Sequence, residues 1–93
     1  MNDDKVIVIL HIKRLSKKYD VEVPLYITAN DLVKGLNTAF NLGINTENIN
    51  ECFLRCENPI VLLKGNKTLR EFNLRNGTLI NIVLKLKLIV IIS

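Results

Sequence analysis

The feature that most constrains the fold is a β-rich run that begins at Thr78 and continues, with few polar residues, to the end of the sequence. An Asn76-Gly77 pair, typical of a tight turn, precedes it. Before that pair, Thr68–Leu74 has apolar residues spaced for a single turn. A strand with apolar residues on both faces must be central in a sheet or covered on both sides. The rest of the chain therefore has to supply neighbouring strands and a covering helix.

Four further strands are predicted from runs rich in β-branched and other apolar residues. The first two, Val6–Ile12 and Tyr19–Val23, are joined by the short segment Arg14–Lys18 and therefore form a hairpin. The third and fourth strands, Cys52–Cys56 and Ile60–Leu63, lie in the second half of the chain. With the run that starts at Thr78, the sequence predicts five strands.

One helix is predicted between the second and third strands. Thr28 is expected to cap its N-terminus, and Asp31 lies where a carboxylate favours the positive end of the helix dipole. Gly35 is expected to allow a close approach to the sheet, and Gly43 to cap the C-terminus. The predicted apolar stripe comprises Leu32, Leu36, Ala39 and Phe40, with Val33 at its flank.

This order of elements predicts an α+β fold in which one helix lies across one face of a five-stranded mixed sheet. The chain has 93 residues, near the lower limit at which a domain buries an adequate core alone. It contains neither an internal repeat nor a linker. We therefore expect a single domain over residues 1–93, with an apolar C-terminal extension over residues 85–93.

Period-two counting separates the residues that face the helix from those that face away from it. The predicted core comprises Val6, Val8, Leu10, Ile12, Tyr19, Val21, Val23, Leu32, Leu36, Phe40, Leu54, Leu74, Ile80 and Ile82. Left on the outer face are Ile7, Ile9, Phe53 and Val83, which we regard as candidate partner-binding residues. In the alternative interpretation, long neighbouring side chains such as Arg55 cover these residues, and scattered apolar residues on a surface need no function.

The sequence offers few groups for catalysis or metal binding. Cys52 and Cys56 are the only cysteines. If they lie in one strand, their α-carbons are about 13 Å apart, beyond the ~7 Å limit for a disulfide, so we expect two buried free thiols. His11 is the only histidine, and no nucleophile or metal-ligand set is implied near it. We therefore expect no enzymatic activity, no metal, no cofactor and no small-molecule substrate.

Charge and compartment add two expectations. Thirteen Lys and Arg against nine Asp and Glu give a net charge of +4, which favours acidic partners without requiring nucleic acid. Lys13, Arg14, Lys17 and Lys18 form a basic hairpin tip, interpreted as a solvated turn or, less simply, as a contact for an acidic partner. The N-terminus has no signal-peptide pattern, and no apolar run reaches the ~20 residues that span a bilayer, so a cytoplasmic location is expected.

The last third of the chain resembles ubiquitin-like proteins, which have the β-grasp fold. The residues that carry this resemblance are Thr68-Leu69, Glu71-Phe72, Leu74, Thr78-Leu79-Ile80, Ile82-Val83-Leu84 and the basic-apolar Lys85-Leu86-Lys87. Within that superfamily the sequence is similar to the small bacterial proteins of type VII secretion loci, the YukD and EsaB group. Shared features are a short hairpin before a Tyr-Asp-Val second strand, a helix containing Leu-Val, and an Asn-Gly turn into the last strand.

This resemblance implies a non-catalytic accessory or regulatory component of type VII secretion, acting in the cytoplasm through a protein partner such as a membrane component of that system. Ubiquitin-like modifiers and sulfur carriers end in Gly-Gly, whose carboxylate is adenylated. Here the last glycine is Gly77 and the sequence ends at Ser93, so conjugation through the C-terminus is not expected. A nucleic-acid-binding β-grasp module is the main alternative, and a modifier is a weaker one.

The apolar C-terminal run is too long for the domain. Extended from Thr78 to Ile92 it would reach nearly 50 Å at ~3.3 Å per residue, against roughly 30 Å for the diameter of a domain of this size. The residues on one face include Leu86, Leu88, Val90 and Ile92. An exposed apolar strand edge is a template for strand addition, so we expect either a homodimer through the C-terminal strand or docking onto a secretion component. The alternative is a disordered end.

Overall fold

The computed structural model describes residues 4–83, which form a five-stranded mixed sheet with one helix packed on one face. The strands are β1 (Lys5–Ile12), β2 (Lys17–Pro24), β3 (Leu54–Glu57), β4 (Val61–Leu63) and β5 (Leu79–Ile82), and helix α1 (Ala29–Phe40) lies between β2 and β3 in the sequence. A 3₁₀ turn, Lys13–Leu15, connects the first two strands. The predicted fold class and element order are confirmed.

The strands lie in the order β2-β1-β5-β3-β4, so the last strand in the sequence is the central strand of the sheet. It pairs in parallel with β1, where Ile9 is opposite Leu79, and antiparallel with β3, where Arg55 is opposite Asn81. This central place explains its apolar residues on both faces. The strand begins at Leu79 rather than Thr78, and the predicted continuation beyond Val83 lies outside the described residues.

Several strand boundaries differ from the prediction by one or two residues: β2 starts at Lys17 instead of Tyr19, and β4 at Val61 instead of Ile60. The third strand starts at Leu54 instead of Cys52. The backbone N–H of Cys52 donates to the carbonyl of Asn48 at 3.0 Å, which closes a turn and keeps Cys52 out of the sheet ladder. Both cysteines are nevertheless buried and free, as expected.

The core lies between the sheet and α1. Every residue predicted to face the helix is buried or, for Tyr19, Val21 and Phe40, packed against the core in a half-buried position. The rings of Tyr19 and Phe40 meet with their centroids 5.1 Å apart, which joins the C-terminal end of the helix to β2. Sequence reasoning left out several core members: Leu25, Ala29, Leu42, Leu63, Leu69 and Thr78.

The helix begins as predicted, but its buried face differs from the predicted apolar stripe. The Thr28 hydroxyl accepts from the Asp31 N–H at 3.1 Å, and the Asp31 carboxylate accepts from the Thr28 N–H at 3.2 Å, forming a capping box. Val33 is fully buried, whereas Ala39 is exposed. The buried stripe therefore consists of positions 29, 32, 33 and 36, whereas the predicted stripe consisted of positions 32, 36, 39 and 40.

The two helical glycine predictions were also wrong. The helix ends at Phe40, and Asn41 forms the C-cap in the left-handed region at φ 53°, which places Gly43 beyond the cap. Asparagine tolerates this conformation better than most residues, so it can replace glycine there. Gly35 is exposed, and a Cβ added to it would meet no atom within 4 Å, so no close approach to the sheet occurs.

Gly35 and Gly77 are expected to respond in opposite directions to substitution by alanine. Gly35→Ala should raise the free energy of unfolding by about 0.5–1 kcal/mol, because alanine is the better helix former and the site is open. Gly77 has φ +88°, where a side chain is strained, so Gly77→Ala should lower the free energy of unfolding by about 1–2 kcal/mol. Urea denaturation of the two variants measures both effects, and a change of the same sign in both would contradict this description.

Candidate functional site on the outer face of the sheet

The sheet face opposite α1, here called the outer face, carries the predicted partner-binding residues of the strands. Its side chains alternate with buried ones along every strand. Within residues 4–83, the strand residues of the outer face are Lys18, Asp20, Glu22 and Pro24 of β2, Lys5, Ile7, Ile9 and His11 of β1, Leu79 and Asn81 of β5, Arg55 and Glu57 of β3, and Leu62 of β4.

The Asn-Gly turn before β5 holds the first part of β1 in place. The Ile7 N–H donates to Asn76 Oδ1 at 2.8 Å, and the Gly77 N–H donates to the Ile7 carbonyl at 2.9 Å. The Ile9 N–H then donates to the carbonyl of Thr78 at 2.8 Å. These bonds extend the β1–β5 pairing to the residues that precede Leu79, the first residue of β5. They leave the Ile7 side chain 49% exposed on a fixed backbone.

Ile7, Ile9 and Leu79 form an apolar strip on the outer face, here called the β1–β5 strip. It lies on the adjacent strands β1 and β5. Ile9 lies opposite Leu79 in the parallel ladder, and both are half-buried. Acidic residues border the strip on both sides, since Asp20 and Glu22 are paired with β1 and Glu57 is paired with β5. Neither Asp20 nor Glu22 forms an ion pair with any residue in the range 4–83.

A row of polar side chains crosses the sheet beside this strip. The register places His11 opposite Asn81, Asn81 opposite Arg55, and Arg55 opposite Leu62. The Asn81 amide also donates to Glu57 Oε2 at 2.8 Å, which fixes that carboxylate against the sheet. The apolar residues predicted for this face are therefore divided into two groups, which the pattern of single strands could not reveal.

Phe53 and Val83 form the second group, at the other end of the sheet. Phe53 precedes β3 and Val83 follows β5, and because these strands are antiparallel both residues lie at the same end. The Arg55 guanidinium carbon lies 5.8 Å from the centroid of the Phe53 ring, so Arg55 covers part of Phe53 as the alternative interpretation supposed. Val83 is 62% exposed. Six residues of strand, about 20 Å, separate this group from Ile7.

Sequence reasoning missed exposed apolar residues around the fourth strand. Ile60 and Leu62 are 89% and 44% exposed, and both border a shallow depression of about 440 Å³ that Arg55, Glu57 and Asn81 also line. Counting alternate positions back from the buried Leu63 would have assigned Leu62 to the outer face. The four remaining predicted residues, Leu86, Leu88, Val90 and Ile92, lie outside the described part of the chain.

The reactive groups at this face are limited among the described residues. Burial raises the pKa of the Cys56 thiol, which lies under the depression, to about 12, so this thiol is protonated at neutral pH and is a poor nucleophile. Within residues 4–83, no group of three or more His, Cys, Asp or Glu side chains could hold a metal ion. The same residues include no helix of the length and apolarity needed to cross a membrane.

Solved structures with the same arrangement are ubiquitin-like domains. A ubiquitin-like domain from Arabidopsis thaliana is 20% identical with a TM-score of 0.64, over 86% of this chain and 77% of that chain. A designed protein based on ubiquitin is 19% identical with a TM-score of 0.59, over 86% of this chain and 88% of the other. The ubiquitin-like domain of Plasmodium falciparum Dsk2 is 20% identical with a TM-score of 0.56, over 83% and 96%. The chain therefore has the ubiquitin-like β-grasp fold.

The particular family follows from the sequence itself. Residues 7–82 match the family model described as protein YukD of the WXG100 protein secretion system. This chain belongs to the YukD family, which links it to type VII secretion and confirms the resemblance recognised in the sequence. No curated protein matches the chain.

Proposed function

We propose that this chain is a non-catalytic, cytoplasmic component of a bacterial type VII secretion system and acts by binding a protein partner through its outer face. The observation that carries the proposal is the β1–β5 strip, a fixed apolar surface with Ile7 49% exposed on a domain of the YukD family. Burying exposed apolar side chains is the main source of affinity in protein interfaces, and a few central residues supply most of it.

The charges around the strip define the partner's chemistry. Asp20, Glu22 and Glu57 border it. A partner with an apolar centre rimmed by Lys or Arg side chains would bury the strip and pair the carboxylates at the edge of the contact. Such complementarity raises the association rate and excludes partners with an acidic rim.

The depression beside β4 adds a place for a single anchoring side chain. Ile60 and Leu62 supply an apolar border, and Arg55 and Glu57 supply one charge of each sign. The opening is shallow and wide, which suits a side chain carried on a protein surface better than an enclosed small molecule. The strip and the depression together give the outer face two contact points, one over β1 and β5 and the other beside β3 and β4.

The proposal is tested by titrating the full chain with soluble cytoplasmic segments of the membrane components of the same secretion system in a calorimeter. We expect saturable binding to one of them with a negative heat-capacity change, the signature of apolar burial. Absence of binding to every one of these segments would contradict the proposed partner class.

The apolar C-terminal residues are a second proposed contact, through strand addition to another copy of the chain or to the same secretion component. Deleting Leu88–Ser93 and measuring the molar mass by light scattering tests the homodimer. We expect the full chain to be a dimer and the shortened chain a monomer. If both are monomers, the homodimer is excluded and docking onto the secretion component remains to be tested by the titration above.

A nucleic-acid-binding function is the second candidate, and the basic residues between β1 and β2 are the observation that favours it. Binding of this kind falls steeply as salt rises, because Lys and Arg side chains displace counterions from the phosphates. A steep salt dependence of binding to single-stranded RNA, with no affinity for the secretion segments, would favour this function over the first. An adenylation assay with an activating enzyme tests the remaining alternative, a modifier.

A further inference from the structure

The segment Lys13–Lys18, here called the basic tip, comprises the turn after β1 and the first two residues of β2, and of its residues only Lys18 also belongs to the outer face. Its first three residues form the 3₁₀ turn, and Ser16 follows in the left-handed region at φ 51°. The Ser16 N–H donates to the Lys13 carbonyl at 3.0 Å, which closes the turn. All six residues are exposed. The tip is therefore an ordered projection at one end of the sheet.

The positive charge of the tip is not compensated by neighbouring side chains. Four of its six residues are Lys or Arg, and none of these forms an ion pair with any residue in the described range 4–83. The nearest acidic residue in the sequence is Asp20, which follows Lys18 by two residues on the same face of β2 and forms no ion pair with the tip within the described residues. Four neighbouring cations repel one another. Binding of an anionic surface relieves this repulsion, so the tip favours anionic partners.

One apolar side chain lies among these cations. Leu15 is 50% exposed, at the centre of the turn. A uniformly acidic protein surface would pair with the basic side chains and leave Leu15 without an apolar contact. The boundary between lipid headgroups and acyl chains accommodates both, because cations meet the phosphates while an apolar side chain enters the layer below.

Strand β5 ends at the same end of the sheet as the tip. Ile12, the last residue of β1, is opposite Ile82, the last residue of β5, so the tip and Val83 follow at the same end. The sequence beyond Val83 is LKLKLIVIIS, which contains two lysines, no acidic residue and seven Leu, Ile or Val residues. Two segments of the same chemical character, basic and apolar without acids, are therefore connected to one end of the domain.

We propose that the basic tip binds an anionic phospholipid surface, with Lys13, Arg14, Lys17 and Lys18 at the headgroups and Leu15 inserted between them. A Lys or Arg close to an anionic bilayer strengthens binding about fivefold, so four together act strongly at low salt. The tip lies at an end of the strands, so a bilayer bound there leaves the outer face accessible from the side. The proposal goes beyond the protein contact of the outer face and uses none of its apolar residues.

Flotation of the full chain with vesicles tests the proposal. The vesicles contain phosphatidylcholine with about 30 mol % phosphatidylglycerol, or phosphatidylcholine alone, in about 0.1 M salt. In the tip variant the four cations are replaced by glutamine. In the matched control, four exposed cations elsewhere are replaced by glutamine, namely Lys5, Lys34, Lys64 and Arg75. Both variants lose the same charge, and circular dichroism verifies that both are folded.

We expect the full chain to bind the anionic vesicles and not the neutral ones. The tip variant should bind about 600-fold more weakly, from about fivefold for each of the four cations, and the control should stay within about threefold of the original. Leu15→Ser should weaken binding about tenfold, because it removes the inserted side chain.

Three results would overturn the proposal. Equal losses in the tip variant and its control would mean a general attraction of the whole charge. No preference of the full chain for anionic vesicles would exclude lipid binding. Binding to polyglutamate as tight as to vesicles, with no effect of Leu15→Ser, would identify an acidic protein as the occupant of the tip.

Discussion

Replacing Ile7 and Ile9 by threonine together is expected to weaken binding of the secretion partner by about 100-fold, because the central residues of an interface carry most of its affinity. Threonine keeps the branched shape that suits a strand and removes apolar contact area. Ile7 is 49% exposed and Ile9 half-buried, so the free energy of unfolding should fall by about 1 kcal/mol or less for each. Calorimetric titration measures the first effect and urea denaturation the second.

The matched control for this prediction is Ile49→Thr. Ile49 is 77% exposed and lies in the polar segment between α1 and β3, away from the outer face. The same chemical change there should leave the affinity within about twofold, because the side chain lies outside the proposed interface. An unchanged affinity in the double variant, or an equal loss in Ile49→Thr, would show that the partner contacts a different surface.

Thr78→Val is expected to lower the free energy of unfolding by about 2–3 kcal/mol, the largest effect on stability that we predict for a change that preserves shape. Thr78 is fully buried immediately before β5. Its hydroxyl donates to the Asn58 carbonyl at 2.8 Å and accepts from the Arg75 N–H at 3.0 Å. Valine removes both bonds and leaves these two part-buried backbone groups without their partner.

Thr78→Ser separates the hydrogen bonds from the packing. Serine keeps the hydroxyl and loses one methyl group, so it should cost only about 1 kcal/mol. Urea denaturation of both variants gives the comparison. If the valine variant is as stable as the serine variant, the two hydrogen bonds do not contribute as described. The site bears on the proposed interface because Leu79, the next residue, belongs to the β1–β5 strip.

Much of the fold could be predicted from the sequence because the signals were local and strong. The alternation in Val6–Ile12 assigned every residue of β1 to the correct face. Thr28 with Asp31 marked the start of the helix, since a capping box requires only four consecutive residues. The Tyr-Asp-Val second strand, the Leu-Val pair in the helix and the Asn76-Gly77 turn indicated the family, which the match to the family model confirms.

Errors arose where several residues competed for one role or where an element was short. Asn41 and Gly43 can both adopt the left-handed conformation, and the helix used the first of them. Ala39 fits a helical stripe by spacing, but its small side chain gives a weak signal, and the true stripe follows Val33. Strand β4 has three residues, Val61–Leu63, which are too few for an alternating pattern to be recognised. The exposure of Leu62 and of the preceding Ile60 was therefore missed.

The division of the outer face could not be predicted from individual strands. Period-two counting assigns a side chain to a face but gives no position across the sheet. The positions depend on register, which places Asn81 between His11 and Arg55 and so puts polar side chains between the β1–β5 strip and Val83. Register is set by the hydrogen bonds of the Asn76-Gly77 turn to Ile7, a long-range contact that local patterns do not contain.

The most direct test of the outer face as the partner-binding surface is a comparison of backbone amide NMR spectra of the full chain before and after addition of the secretion partner. The account predicts that the largest shift changes fall on Ile7, Ile9, Leu79 and Asn81, with smaller changes around Leu62. Changes confined to the exposed side of α1 and to the segment around Ile49, with the sheet amides unmoved, would contradict it.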